Sequence, residues 1–282
     1  MVAKKVDGGS GPTEASVGTP EKAPLPRVPL PKIRVELLEN IYGDFREVIE
    51  KKISKPGADG DVSAEYSRFF EYLLSNIDAA KYQSIQERFL DPSVVDPNSD
   101  VVKYLDPVIW FQSKVRLCLT LGLDKTPPQR ILDLGTGPGH FPFVARFYGH
   151  EVVGTDLPAR TGGIDDGRGH LYDALCDLYQ VRRIPHRIYA MTPLGDLGGR
   201  YDTVTAFLAA FNVDDRGRPW TVDQWRYFLN DLQTNVLAEH GTLFMTLADG
   251  KLTEDSWAYL KSLSDWSVDK SKQIILRKPA NL

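Results

Sequence analysis

Cysteine is scarce in this chain: Cys118 and Cys176 are the only two in 282 residues, and both fall within apolar helical patterns. They offer neither a disulfide frame nor a zinc-ligand spacing, so both read as reduced core residues. Runs of about 18 apolar residues, the length a membrane span needs, are missing as well, and the N-terminus lacks the apolar core of a secretory leader. Basic excess is also lacking. The 34 Lys and Arg face 38 Asp and Glu, a formal net charge of −4. Nucleic-acid binders usually carry a basic excess or stripe, so no nucleic acid is expected as the main partner. These absences leave a cytoplasmic protein with no membrane role as the simplest expectation. The length suits one full α/β domain with an added helical segment.

What is present is concentrated in the segment ILDLGTGPGH, Ile131 to His140. Ile131, Leu132 and Leu134 form an apolar run typical of a strand covered on both faces. Gly135, Gly137 and Gly139 permit a tight turn and let the backbone approach a ligand without a Cβ in the way. A helix is expected from about Phe141 to Tyr148, and its N-terminal N–H groups suit a carboxylate or a phosphate. Asp156 lies 21 residues beyond Gly135, at the end of a second apolar run. Its carboxylate can accept from two neighbouring ribose hydroxyls, as in many adenosine sites.

Two cofactors compete for that geometry. The nicotinamide fingerprint Gly-x-Gly-x-x-Gly would need glycine at position 140, where His140 stands. The pattern present, Asp133-x-Gly135-x-Gly137-x-Gly139 followed by Asp156, resembles the class I S-adenosylmethionine-dependent methyltransferases. The resemblance spans about Arg130 to Arg277, because later strands follow at the expected intervals. It implies a Rossmann-like α/β fold: a seven-stranded, mostly parallel sheet closed by a C-terminal antiparallel hairpin. It also implies S-adenosylmethionine as cofactor. Asp133, Gly135, Thr136, Gly137 and Gly139 would cradle the methionine part, Asp156 would hold the ribose and Leu157 would pack on the adenine. Relatives often carry an acid after the third strand, and here Met191 and Thr192 follow the run Arg187 to Ala190, so the adenine contact falls to them. Phe207, at the end of the fourth strand, completes the implied cofactor set.

The chain divides into three parts. Residues 1–31 form a Pro- and Gly-rich tail with Pro24, Pro26, Pro29 and Pro31 near its end, a composition that cannot bury enough apolar surface to order itself. Residues 32–123 read as helices around Leu37–Tyr42, Phe69–Leu74, Tyr82–Leu90 and Val108–Leu121. Their aromatic stripes are assigned to packing on one side of the sheet, and in many enzymes similar to this one such a segment also covers the substrate mouth. Residues 124–282 then alternate strands near 130–134, 151–155, 186–190, 202–207, 241–247, 266–268 and 273–277 with helices near 141–148, 170–181, 222–238 and 254–263. Thr221 and Gln224 form a capping box for the third of those helices. Such alternation predicts helices on both faces of a mostly parallel sheet.

Catalytic residues are harder to place. Methyl transfer from a sulfonium mainly needs alignment and exclusion of water. His140 lines the expected pocket and is a candidate base, with capping as its other role. Asn212 is a candidate for orienting a nucleophile, or for capping a turn. The Asp/Asn-Pro-Pro-aromatic motif of amino methyltransferases is absent after Phe207, where the chain reads Leu208-Ala209-Ala210-Phe211-Asn212. Asp165 and Asp166, in the glycine loop Thr161–Gly169, read as solvated carboxylates rather than metal ligands, so no metal is expected. Trp220 with Arg216 and Arg218 could face a ring or an anion. The reading is methyl transfer to a small-molecule acceptor, at oxygen. A non-catalytic binder of the same cofactor and a nicotinamide oxidoreductase are the alternatives.

Overall fold

The computed structural model describes residues 35–55, 61–91, 101–157, 168–209, 211–214, 216–270 and 272–277. The proline-rich tail, the closing Pro92 of the fourth helix, and Asp165 and Asp166 with most of their loop lie outside the described residues.

Five helices precede the sheet: α1 (Val35–Tyr42), α2 (Phe45–Ser54), α3 (Asp61–Asn76), α4 (Ala79–Phe89) and α5 (Ile109–Thr120), with a 3-10 turn at Val101–Leu105 before α5. The sequence reading lacked α2. That helix packs Phe45, Val48, Ile49 and Ile53 on the core at helical spacing, and Asp44 caps it by accepting from Glu47 N–H at 3.1 Å, so both its stripe and its cap are present in the sequence. Buried polar contacts lock this segment together. Tyr82 donates its hydroxyl hydrogen to the Leu105 carbonyl, and Gln86 donates to the Ile41 carbonyl at 2.8 Å. Asp106 starts α5 by accepting from the N–H groups of Val108 at 2.7 Å and Ile109 at 2.9 Å, while Asn40 donates to its other oxygen at 3.0 Å.

The sheet comprises β1 (Arg130–Leu134), β2 (Glu151–Asp156), β3 (Arg182–Pro185), β4 (Tyr201–Phe207), β5 (Leu237–Thr246), β6 (Trp266–Val268) and β7 (Gln273–Arg277). Its order is β3-β2-β1-β4-β5-β7-β6. The first five neighbours run parallel, and β7 enters antiparallel between β5 and β6. The connecting helices are α6 (His140–Phe147), α7 (Arg168–Leu178), α8 (Val222–Asp231) and α9 (Glu254–Leu263). This is the seven-stranded, mostly parallel sheet with a terminal antiparallel hairpin that the resemblance implies. The predicted capping box is formed, with Gln224 accepting from Thr221 N–H at 2.8 Å.

Three boundaries differ from the sequence reading. The third strand lies at Arg182–Pro185 rather than 186–190. Helix α7 ends at Leu178, and a residue with φ of 53°, Gln180, turns the chain straight into the strand. Pro185 closes it, at the sheet edge where a missing N–H breaks no ladder bond. Ile188 and Ala190, whose apolar character drew the prediction, pack on the core from irregular chain. Past Asp231, α8 widens into a π-helical turn at Leu232–Val236, and β5 starts at Leu237 with a register shift against β4.

The sheet separates two cores. On one face the N-terminal helices join α6 and α7 in a continuous cluster from Ile41 to Tyr179. On the other, Trp220, Trp225, Phe228 and Leu260 from the α8–α9 layer pack on Leu132, Val204 and Met245. A helical segment packed this way shares its core with the sheet, so burial of its aromatic stripes supports both.

Candidate functional site

The carboxyl edges of β1, β2 and β4 converge on the glycine loop. Gly135, Gly137 and Gly139 have φ of 68°, 56° and 81°. All three are left-handed, a conformation that costs other residues about 1–2 kcal/mol each. A Cβ on Gly135 would stand 2.5 Å from that of Ala209, which follows β4. The approach extends beneath the loop: a Cβ on Gly154 of β2 would meet the Thr136 side chain at 2.6 Å. Thr136 N–H is bound to the Thr155 carbonyl at 2.8 Å, which ties the loop to β2.

Asp156 closes β2 where expected. One carboxylate oxygen accepts from Gly137 N–H at 2.6 Å and the other from Leu157 N–H at 2.7 Å. Burial raises its pKa, and those two N–H groups oppose the rise. Each oxygen keeps a lone pair for a further donor. Leu157, just beyond, is 49% exposed.

Asp133, at the carboxyl end of β1, is buried and accepts from the Thr205 hydroxyl at 2.7 Å. Burial pushes its carboxyl up to about 6, against the hydroxyl contacts and the charge of Lys114. Lys114 belongs to α5, and its Nζ stands 4.4 Å from the centre of the Phe207 ring at the end of β4. Burial holds this ammonium below its ordinary range, while Asp133 pulls the other way. Nothing in the sequence marked Lys114, since a lysine on an amphipathic helix usually lies on its solvated face.

His140 opens α6 but turns toward the helical segment. It is buried, stacked on Trp110 with ring centres 6.2 Å apart, and edge-on to Phe111 at 5.0 Å. Its Nε2 is buried with no hydrogen-bond partner. Burial lowers its pKa to about 3, so the imidazole is neutral. Tyr172 of α7 faces Gly137, and Tyr104 packs edge-on against Tyr172 at 5.3 Å.

Other predicted residues lie elsewhere. Because β3 ends early, Met191 and Thr192 do not follow its last residue. His186 does, its N–H bound to the Asp156 carbonyl at 2.8 Å. Met191 is 54% exposed and has a φ of 57°. Asn212 is buried and donates to the Lys251 carbonyl, and its carbonyl accepts from Trp220 N–H at 3.0 Å. It pins the 211–220 loop, whose Trp220 is wholly buried, so that ring does not face the ligand edge. Arg218 pairs with Asp214 at 2.6 Å. His150 links the backbone of Gln129 and Leu123. A groove of about 710 Å3 lies at the far end of the sheet, between α9 and the β6–β7 hairpin. Within it Lys261 pairs with Asp269 at 3.0 Å, and it is remote from the glycine loop. Among the described residues, no three His, Cys, Asp or Glu side chains gather as metal ligands, and no helix is long and apolar enough to cross a membrane.

No protein family and no curated protein matches the sequence. Solved structures with a similar arrangement include a ribosomal protein L11 methylase from Lactobacillus delbrueckii subsp. bulgaricus, 18% identical, with 59% of this chain and 78% of that one covered at a TM-score of 0.37. A TehB-like S-adenosylmethionine-dependent methyltransferase from Corynebacterium glutamicum is 16% identical, covering 70% and 97%, at 0.39. An amino pentose methyltransferase from Micromonospora echinaspora, solved with S-adenosylmethionine bound, is 20% identical, covering 51% and 54%, at 0.35. Likeness at this level carries no argument, and the chemistry must come from this chain's own residues.

Proposed function

We propose that the chain is an S-adenosylmethionine-dependent methyltransferase acting on a small acceptor at oxygen. The observation that carries this reading is the left-handed glycine loop bound through Gly137 N–H to Asp156, in a sheet that also carries an antiparallel β7 inserted between β5 and β6. A nicotinamide enzyme would need neither that insertion nor His140 in place of glycine.

The residues present fit the cofactor. The left-handed glycine loop packs so closely on Ala209, just past β4, that Gly135 has no room for a Cβ, which draws the loop backbone to the edge where the methionine part would lie. Asp156 keeps acceptor capacity for ribose hydroxyls, and exposed Leu157 offers an apolar surface to the adenine. His186 and Arg187, rather than Met191 and Thr192, occupy the edge just beyond β3. When bound, the cofactor supplies an electrophilic methyl group on sulfur. The chain's part is to align an acceptor against that methyl and keep water out.

The acceptor side is formed where β4 and α5 meet. Leu123, just past α5, accepts from His150, just before β2, so α5 ends at the amino edge of the sheet and begins at its ligand edge. Exposed Ile109 at that start and exposed Leu208 after β4 give the mouth apolar walls. These favour a small acceptor with an apolar or aromatic face. The missing Asp/Asn-Pro-Pro-aromatic turn removes the usual cradle for an exocyclic amine, which favours a hydroxyl. Neutral His140 carries no charge to repel a cofactor cation, but with a pKa near 3 it is a weak base, and its packing on Trp110 and Phe111 ties α6 to α5.

The test is release of S-adenosylhomocysteine, with methyl-labelled cofactor, across a panel of phenols, sugars and amines. Label transfer to hydroxyl acceptors is the expected result. Transfer to amines alone would overturn the oxygen assignment, and cofactor binding without turnover on any acceptor would favour a non-catalytic binder.

A further inference from the structure

His140 is too weak a base to activate a hydroxyl acceptor, and the acceptor side of the mouth holds a different nitrogen. Lys114 of α5 stands over the Phe207 ring, its Nζ 4.4 Å from the ring centre, where α5 meets the carboxyl end of β4. The side chain is half-buried, and among the described residues its Nζ makes no hydrogen bond and no ion pair. A ring face compensates only part of what a charge loses on leaving water, so the nitrogen keeps capacity for an anionic oxygen. Burial holds the amine below its ordinary range, toward that of a phenol, against the pull of Asp133 on β1 and Cys118 on α5. His140 of α6, the other titratable group in its field, is neutral. Beside this nitrogen the chain presents apolar surface at a cost. Leu208, directly after Phe207, is 61% exposed and left-handed at a φ of 54°, its N–H bound to the Thr246 carbonyl at 2.8 Å. An apolar side chain kept exposed in a strained conformation at the edge of a site points to the apolar face of a ligand.

We propose that Lys114 is the catalytic base for a phenolic acceptor, taking the proton of its hydroxyl and holding the resulting oxyanion against the methyl group to be transferred. This rests on the reading of the chain as an oxygen methyltransferase and adds the base which that reading lacked. The neutral amine accepts the hydroxyl proton and becomes an ammonium paired with the phenolate. The phenolate oxygen then bonds to the methyl carbon, the carbon–sulfur bond breaks with its electron pair left on sulfur, and S-adenosylhomocysteine is the second product. The ammonium afterwards gives its proton to water. A phenol suits this better than a sugar hydroxyl, because a phenol's pKa of about 10 lies near that of an amine. Its ring also matches the exposed side chains of Leu208 and of Ile109 at the start of α5. Asp106 fixes that start through two backbone N–H groups, so the lysine is held on a rigid element, and helical side chains lean toward the N-terminus, which carries the amine to the ligand edge.

The test uses the full-length protein loaded with S-adenosylhomocysteine, and para-nitrophenol as the probe, because its anion absorbs visible light. Below the probe's own pKa, binding to the wild-type protein should raise the ratio of anion to neutral phenol about tenfold or more, the scale of a charged hydrogen bond. Lys114→Met should abolish that rise while binding S-adenosylhomocysteine within about twofold of wild type in calorimetry, which also shows that the variant is folded. Turnover gives a second readout. Lys114→Met should lower kcat about 100-fold or more with unsubstituted phenol, and less than about tenfold with para-nitrophenol above its pKa, where the oxygen is already ionised. If Lys114→Met does not fold, Lys114→Arg, which keeps the charge but cannot accept a proton, should show the same divergence between the two phenols. A probe that binds without ionising, ionisation that survives Lys114→Met, equal loss with both phenols, or failure of the loaded wild-type protein to bind the probe would overturn the assignment and leave the cofactor reading in place. Loss of S-adenosylhomocysteine affinity in Lys114→Met would move the lysine to the cofactor and overturn it likewise. Failure of the wild-type protein to bind S-adenosylhomocysteine would overturn both readings.

Discussion

The two halves of the ligand edge are built in different ways. Around β1 and β2 the site is backbone: three left-handed glycines, a loop N–H on Asp156, and a Gly154 with no room for a side chain. Around β4 and α5 it is side chains from distant segments, with Lys114 over Phe207, Asn212 bound to the Lys251 carbonyl, and Leu208 exposed at a φ of 54°. A backbone cradle tolerates few sequences and leaves a spacing that can be read. A side-chain wall is set by packing among elements about 100 residues apart in the chain and leaves almost no local trace. The cofactor half is therefore expected to be fragile to small substitutions, and the acceptor half to fail one function at a time.

The sharpest way to break that contrast is Gly135→Ala. A Cβ 2.5 Å from that of Ala209, added to left-handed strain, should displace the loop and lower cofactor affinity by about 100-fold or more in a protein that still unfolds cooperatively. Wild-type affinity in calorimetry would show that the loop is not a cradle. Next in size, Asp156→Ala should cost about 1–3 kcal/mol of cofactor binding, since it removes a charged acceptor and frees Gly137 N–H.

Asp133 gives a pH signature. Its native carboxyl titrates near 6, whereas an unfolded one titrates at about 3.9. Between those values the native state binds more protons, so through this group the unliganded protein loses stability as pH rises from about 4 to about 6. Burial shifts Asp156 in the same direction. Asp133→Asn should therefore raise the melting temperature of the unliganded protein at pH 7 and flatten that part of the pH profile. Thermal melts across pH would check it, and a destabilised variant would show that the ionised carboxyl is held by partners. On the acceptor half, Asn212→Ala should cost about 1 kcal/mol of stability from its lost bond to Lys251. Turnover should fall, with cofactor affinity unchanged. A matching fall in affinity would erase the distinction between the halves.

The same contrast explains what could be read from the residues. The apolar run before Gly135, the glycine spacing, the distance to Asp156 and the Thr221–Gln224 capping box are local patterns, and all lie where the pattern put them. The terminal hairpin was placed to the residue. The third strand slipped because VRRIPHRIYA holds two short apolar runs on either side of Pro185, and only pairing with β2 decides between them. Lys114 was invisible because its burial comes from Phe207, over 90 positions away. The inward turn of His140 likewise depends on Trp110 and Phe111 from another element.

The central claim is that this loop and Asp156 hold S-adenosylmethionine. It is tested most directly by calorimetric titration of the whole protein with S-adenosylmethionine, S-adenosylhomocysteine and NADH. The account predicts micromolar binding of the first two and none of the third. Binding of NADH alone would contradict it and assign the glycine loop to a redox cofactor.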